Sequence, residues 1–254
     1  MKVTFTVKDK QGNAVSLSDL TRLNLDIGKR GLTKKNRSRL RPLDDPQNAA
    51  ALLGLPETLI GLVRNPRAHA GALQAQAAVA IEIFLMAPLR IGNLAKLDLD
   101  RHLVRSGLGK ELHIVVEPED AKNCEALEYP LPPESVALIE LYLEQFRPRL
   151  AVPGCTALFP GRSGGSKSLN ALRDLICKAI HRHTGIRVHP HLFRHAGAKL
   201  FLDANPGAYE VVRRVLGHRS LNTTTTYYTG LETARAVRHF DSALLRLRRG
   251  GKAA

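Results

Sequence analysis

The run His189-Pro190-His191-Leu192-Phe193-Arg194-His195 places three histidines and an arginine within seven residues. A proline ahead of an apolar stretch suits the first turn of a helix, and the pattern predicts one over 191–204. On that helix His191 and Arg194 stand three apart and share a face. Three histidines could ligate a metal, but no Asp, Glu or Cys lies within seven residues on either side. Arg194 on the same face would repel a cation. A fork of N–H donors beside an imidazole suits an anion instead.

Working outward, the next dense patch is Leu216-Gly217-His218, followed by Leu221-Asn222-Thr223-Thr224-Thr225-Thr226-Tyr227-Tyr228-Thr229-Gly230. Gly217 reads as the end of a helix. A tyrosine pair is most often core or rim, so this patch decides little by itself. Upstream, Pro88-Leu89-Arg90-Ile91-Gly92-Asn93-Leu94 follows a long apolar tract, and Lys122 stands eight residues before Pro130-Leu131.

Taken together and in order, these patches resemble the tyrosine recombinases of the phage-integrase type. That family carries an Arg in a motif like Gly-Leu-Arg-Ile-x-Glu-Leu, a Lys in a β-hairpin, a His-x-x-Arg box, Leu-Gly-His, and a nucleophilic Tyr nine or ten residues later. Arg90, Lys122, His191, Arg194 and His218 fill the matching positions, with Asn93 where Glu is common. Tyr227 and Tyr228 lie nine and ten past His218. The run Tyr228-Thr229-Gly230-Leu231-Glu232 resembles a subfamily in which an aromatic precedes the nucleophile, so Tyr228 is the expected nucleophile and Tyr227 a packing aromatic.

The resemblance covers roughly residues 46–249. It implies a mainly α fold with a small antiparallel β-sheet, and site-specific cutting and rejoining of DNA through a 3′-phosphotyrosine. In that scheme Arg90 and Arg194 hold the non-bridging oxygens, where charge develops. Lysine in either place would keep the charge and lose the fork. Free tyrosine ionises only near about pH 10, so it needs a base or a cationic pocket, and His191 is the candidate base. Lys122 is the candidate acid for the leaving 5′-oxygen. His218 would hold a phosphate oxygen or the tyrosine. His195, His181 and His183 read as structural. No cofactor and no metal are expected.

The implied partner is double-stranded DNA, engaged by a homo-tetramer. Neither a membrane nor a disulfide is expected. No stretch reaches the ~18 apolar residues of a membrane span. Cys124, Cys155 and Cys177 form no CxxC pair, which suits reduced thiols in a bacterial cytoplasm, at the nucleoid. The 38 Lys and Arg against 23 Asp and Glu give a net charge of +15, a surface that attracts polyanions.

Two regions are expected. Residues 1–45 form a short basic segment, a remnant of or linker from a core-binding domain, and 46–254 form the catalytic domain. Residues 3–15 alternate like a hairpin. Residues 21–45 carry Arg22, Lys29, Arg30, Lys34, Lys35, Arg37, Arg39 and Arg41 against three Asp, which reads as a basic arm on a phosphate backbone. Helices are expected over 46–63, 70–87, 134–146, 168–184, 206–216 and 231–249, and strands over 112–116 and 127–131. The last helix could dock on a neighbouring protomer or pack on its own. Family members carry a longer core-binding domain ahead of the catalytic one, so a truncated, non-catalytic DNA-binding remnant of a mobile element is the alternative. A type IB topoisomerase and a metal hydrolase using His189, His191 and His195 are further alternatives.

Overall fold

The computed structural model describes residues 32–107, 111–120, 126–218 and 220–228, and beyond them 237, 240–242 and 244–246. The hairpin expected at 3–15, Lys122, Cys124 and most of the 231–249 helix lie outside the described residues.

The described chain begins with a basic helix, α1 (Lys34–Leu40), and a 3-10 turn (Arg41–Asp44). Thr33 caps α1 by accepting from the Asn36 N–H at 3.2 Å. Leu40 and Leu43 are buried in the main core. This stretch, upstream of residue 46, is therefore packed against the rest of the fold.

Asp45 caps the next helix, α2 (Pro46–Leu53), accepting from Gln47 N–H at 2.9 Å, with Pro46 in the first turn where its missing N–H costs nothing. The single helix expected over 46–63 is two. Gly54 ends α2 and α3 (Leu55–Gly61) begins directly after it. Pro56, which cannot donate an N–H, fits only at the start of a new helix.

The centre of the fold is α4 (His69–Met86), which buries Ala72, Ala75, Ala77, Ala78 and Ala80 among eleven residues. Small side chains let neighbouring helices approach on every side. Among the described residues, α4 alone is long and apolar enough to cross a membrane by length and composition. Here it is the core helix, packed by α3 and by elements that follow. Its buried Glu82 accepts from Ser135 Oγ, and burial raises its carboxyl pKa.

Pro88 follows the end of α4, and the short α5 (Ile91–Ala95) starts right after Arg90. Three antiparallel strands follow in the order β1 (Leu103–Ser106), β2 (Glu111–Val116) and β3 (Leu127–Pro130). Leu103 pairs with Ile114, and Ile114 with Tyr129. β2 alternates exposed and buried positions, the period that marks a half-buried strand. β1 escaped the sequence reading because it is four residues long and carries Arg105 and Ser106.

The helix α6 (Pro133–Leu141) continues through a π turn (Tyr142–Phe146). Next, α7 (Leu169–Thr184) is capped by Ser168 and ended by left-handed Gly185. Then α8 (Pro190–Ala204) crosses the core, its Phe193 stacked on Phe84 of α4 with ring centroids 5.2 Å apart. Two short helices follow, α9 (Tyr209–Val215) and α10 (Leu221–Tyr228). With α8 they enclose a second, smaller core of Ala198, Leu202, Val212, Leu216 and Tyr228. The expected fold class, mainly α with one small antiparallel sheet, is what the structure has.

Candidate active site

The site forms where α8 passes the start of α5, the end of α9 and the strand β3. Arg194 anchors it. The residue is 9% exposed, and its guanidinium donates to the carbonyl oxygens of Pro88, at 2.7 Å, and Leu216. One side chain thereby ties the entrance of α5 to the turn after α9. Burial is the main cause lowering its pKa, with Arg90 adding to it, while Tyr129 and Tyr228 oppose it.

Arg90 lies two residues past Pro88, in extended backbone at the N-cap of α5. Its charge is felt by Arg194, His218 and Tyr129, so it belongs to the same cluster. Tyr129, on β3, donates to the Val215 carbonyl at 2.8 Å, and burial raises its pKa against the pull of both arginines. This bond draws the sheet onto the end of α9.

Gly217 turns the chain with φ of +59°, in the left-handed region where a side chain is strained. A Cβ there would also stand 2.6 Å from Leu127 Cδ2 of β3. The turn delivers His218, whose Nδ1 is 2.9 Å from Thr224 Oγ1 on α10. Arg213 donates to the His218 carbonyl at 2.9 Å. Burial first, then Arg194, Arg90 and Arg213, push the His218 pKa down to about 4.

The two tyrosines end α10. Tyr228 is buried, its hydroxyl 2.8 Å from His195 Nδ1, and burial raises its pKa while Arg194 pulls it down. Tyr227 is half-buried and stacks on the His195 ring with centroids 5.8 Å apart and 17° between the planes. Burial, then Arg194, His218 and His191, push the His195 pKa to about 4. Both imidazoles are therefore neutral near pH 7, in a pocket whose positive field disfavours further cations and welcomes an anion.

The structure thus brings Arg90, Arg194, His218 and Tyr228 together. His191 sits exposed in the first turn of α8, within electrostatic range of His195 and His189. Among the described residues, no group of three His, Cys, Asp or Glu gathers as metal ligands would. Sequence reasoning set His195 aside as structural and passed over Tyr129 and Thr224. The four-residue step from His191 to His195 was the one available signal, since it puts both on one helical face.

Beside this pocket runs a basic edge. Burial lowers the His189 pKa, and Arg39 and Lys35 of α1, Arg173 of α7 and His191 lower it further. The 3-10 turn that follows α1 is tied to α8 by Lys199, which is buried and pairs with Asp44 at 2.7 Å and, within α8, with Asp203 at 2.6 Å.

Comparison with known proteins agrees with this architecture. The sequence pattern of the phage integrase family matches residues 57–235. The chain is 33% identical to tyrosine recombinase XerC of Pseudomonas entomophila (strain L48), over 66% of this chain and 52% of that protein. It is 30% identical to XerC of Azotobacter vinelandii, again over 66% and 52%. The chain spans about half the length of the curated relatives it matches. Among solved structures, the site-specific recombinase XerH in a post-cleavage complex with palindromic difH aligns with a TM-score of 0.56 at 17% identity, over 95% of this chain and 60% of that one. The XerA recombinase aligns with a TM-score of 0.54 at 20% identity, over 78% and 62%. At those identities the likeness is one of fold. The chain belongs to the phage integrase family, the tyrosine recombinases, and carries that family's catalytic domain.

Proposed function

We propose that this protein is a site-specific DNA recombinase that cuts and rejoins strands through a 3′-phosphotyrosine at Tyr228. The observation that carries the reading is the Tyr228 hydroxyl on an imidazole, beside Arg194, in a pocket that also feels Arg90. The tyrosine oxygen attacks phosphorus, the bond to the 5′-oxygen breaks, and that oxygen leaves with a proton. A partner strand's 5′-hydroxyl later attacks the phosphotyrosine and returns the proton to the tyrosine. One phosphodiester replaces another, so the scheme needs no ATP, and the two guanidiniums do the charge stabilisation a metal would otherwise supply. His191 is the proposed base, His218 an oxygen ligand, and Lys122 the acid for the leaving group.

The proposed partner is duplex DNA, bound by a homo-tetramer. Val237, Phe240, Leu244 and Leu245 are exposed apolar residues, and an apolar groove between α8 and α9 is lined by Ala198, Phe201, Val211 and Val215. Each suits a contact between protomers. The burial of Tyr228 and of Arg194 favours one second reading, a non-catalytic DNA-binding remnant. For a recombinase the pocket must open when DNA is engaged.

A nicked suicide duplex bearing the recombination site, selected from random-sequence duplexes that the protein retains, tests both readings. The expected result is a covalent adduct that survives Tyr227→Phe and is lost with Tyr228→Phe. The reverse pattern would move the nucleophile to Tyr227. Tight retention of duplex with no adduct from the wild type would favour the remnant.

A further inference from the structure

We infer that His195 is a positioning residue for the nucleophile: its Nδ1 holds the Tyr228 hydroxyl and its ring face carries Tyr227. This rests on the reading that the nucleophile is one of these two tyrosines. The geometry has three parts. Arg194 is fixed by two backbone carbonyls from different parts of the fold. His195 is the next residue on the same rigid helix, so its place relative to that guanidinium is set by α8 itself. Both tyrosines then lean on the one imidazole, Tyr228 through a 2.8 Å hydrogen bond and a tilted ring 5.6 Å away, Tyr227 by stacking at 5.8 Å. α10 is a short helix of eight residues rich in threonine, a poor helix former, so its own backbone holds its end weakly. His195 ties that end to the helix that carries Arg194.

The chemistry of the ring fits the task. Half-buried and within the field of Arg194, His218 and His191, His195 is neutral at pH 7, so one nitrogen accepts a hydrogen bond. With Nδ1 accepting from Tyr228, the ring proton sits on Nε2. A cationic His195 could not accept from the hydroxyl, and it would set a second positive charge beside Arg194.

Two substitutions separate the hydrogen bond from the stacking. His195→Asn keeps an acceptor close to the Nδ1 position and loses the ring. His195→Phe keeps the ring and loses the acceptor. The first readout is the NMR resonance of the Tyr228 ring carbon bearing the hydroxyl, in DNA-free protein with labelled tyrosine, assigned by Tyr228→Phe. The expected result is a shift in His195→Phe and its near-restoration in His195→Asn. The second readout is single-turnover adduct formation on the suicide duplex. His195→Phe should slow it about tenfold or more with duplex affinity unchanged, and His195→Asn should recover most of that rate.

An unmoved Tyr228 resonance in His195→Phe overturns the proposal. So does equal slowing by both variants, which marks simple loss of packing. Faster cleavage by His195→Phe overturns it as well, because that is how a restraining latch behaves. Absence of any adduct from the wild type refutes the nucleophile reading instead, and the resonance alone then decides whether His195 holds Tyr228.

Discussion

At the scale of single residues, the site sets two half-buried histidines, kept neutral by their position, beside the buried Arg194. His195 and His218 each stand near pKa 4, against an ordinary value of about 6.5, chiefly through burial and then through Arg194. The consequence for stability has a definite sign. Unfolded chain takes up these two protons as pH drops below about 6.5, while the folded protein resists until about 4. The contribution of these two rings should therefore lower stability as pH falls through that window and level off below it. Urea midpoints measured from pH 7 to 4 should fall, and should fall less in His195→Phe, which removes one of the two groups. A midpoint that stays flat for the wild type contradicts the lowered pKa of these rings. Arg90, Arg194 and His218 were picked out in the sequence because each sits in a short motif that carries the family resemblance, Arg194 also because a guanidinium beside an imidazole suits an anion. The part played by His195 was not, because its partner lies 33 residues away and meets it only once α10 folds back onto α8.

At the scale of elements, the sequence reads well where a cap or a period is strong and poorly where an element is short. Asp45-Pro46 marked a helix start, and the alternation of β2 marked a strand. α10 was missed because β-branched threonines are unfavourable in a helix by intrinsic propensity, and contacts such as that between Thr224 and His218 override it. The basic run over 21–45 read as an arm on a phosphate backbone, with no packing expected of it, since its charge hides the anchors Leu40 and Leu43. Leu40 is fully buried, and shortening it leaves a void in the main core. Leu40→Ala should cost about 2–5 kcal/mol in chemical unfolding. A loss below about 1 kcal/mol, the usual range of a surface position, would mean that α1 rests only loosely on the domain.

At the scale of the whole molecule, the net charge of +15 pointed to a polyanion before any fold was known. What the charge count could not say is where the excess stands. In the folded protein Lys35 and Arg39 of α1 reach the electrostatic neighbourhood of His189, at the mouth of the helix that carries Arg194. The 3-10 turn directly after α1 is fastened to α8 by the buried Lys199, which pairs with Asp44 and Asp203. A basic helix pinned beside an anion-binding pocket can follow a phosphate backbone away from the reacting phosphate. Each phosphate so neutralised releases counterions, and the logarithm of the binding constant falls against that of salt with a slope of about 0.9 per contact. Replacing Lys35 and Arg39 together by glutamine should therefore flatten the slope by about 1.8 if both touch phosphate. Lys35 is exposed and Arg39 half-buried, so the exchange leaves the core untouched. Titrating the variant and the wild type with duplex at several salt concentrations reads the slope directly. The weakening should be equal for specific and unrelated duplexes, since backbone contacts carry no base information. An unchanged slope would place the DNA away from α1, and a loss confined to the specific duplex would make α1 a reader of sequence.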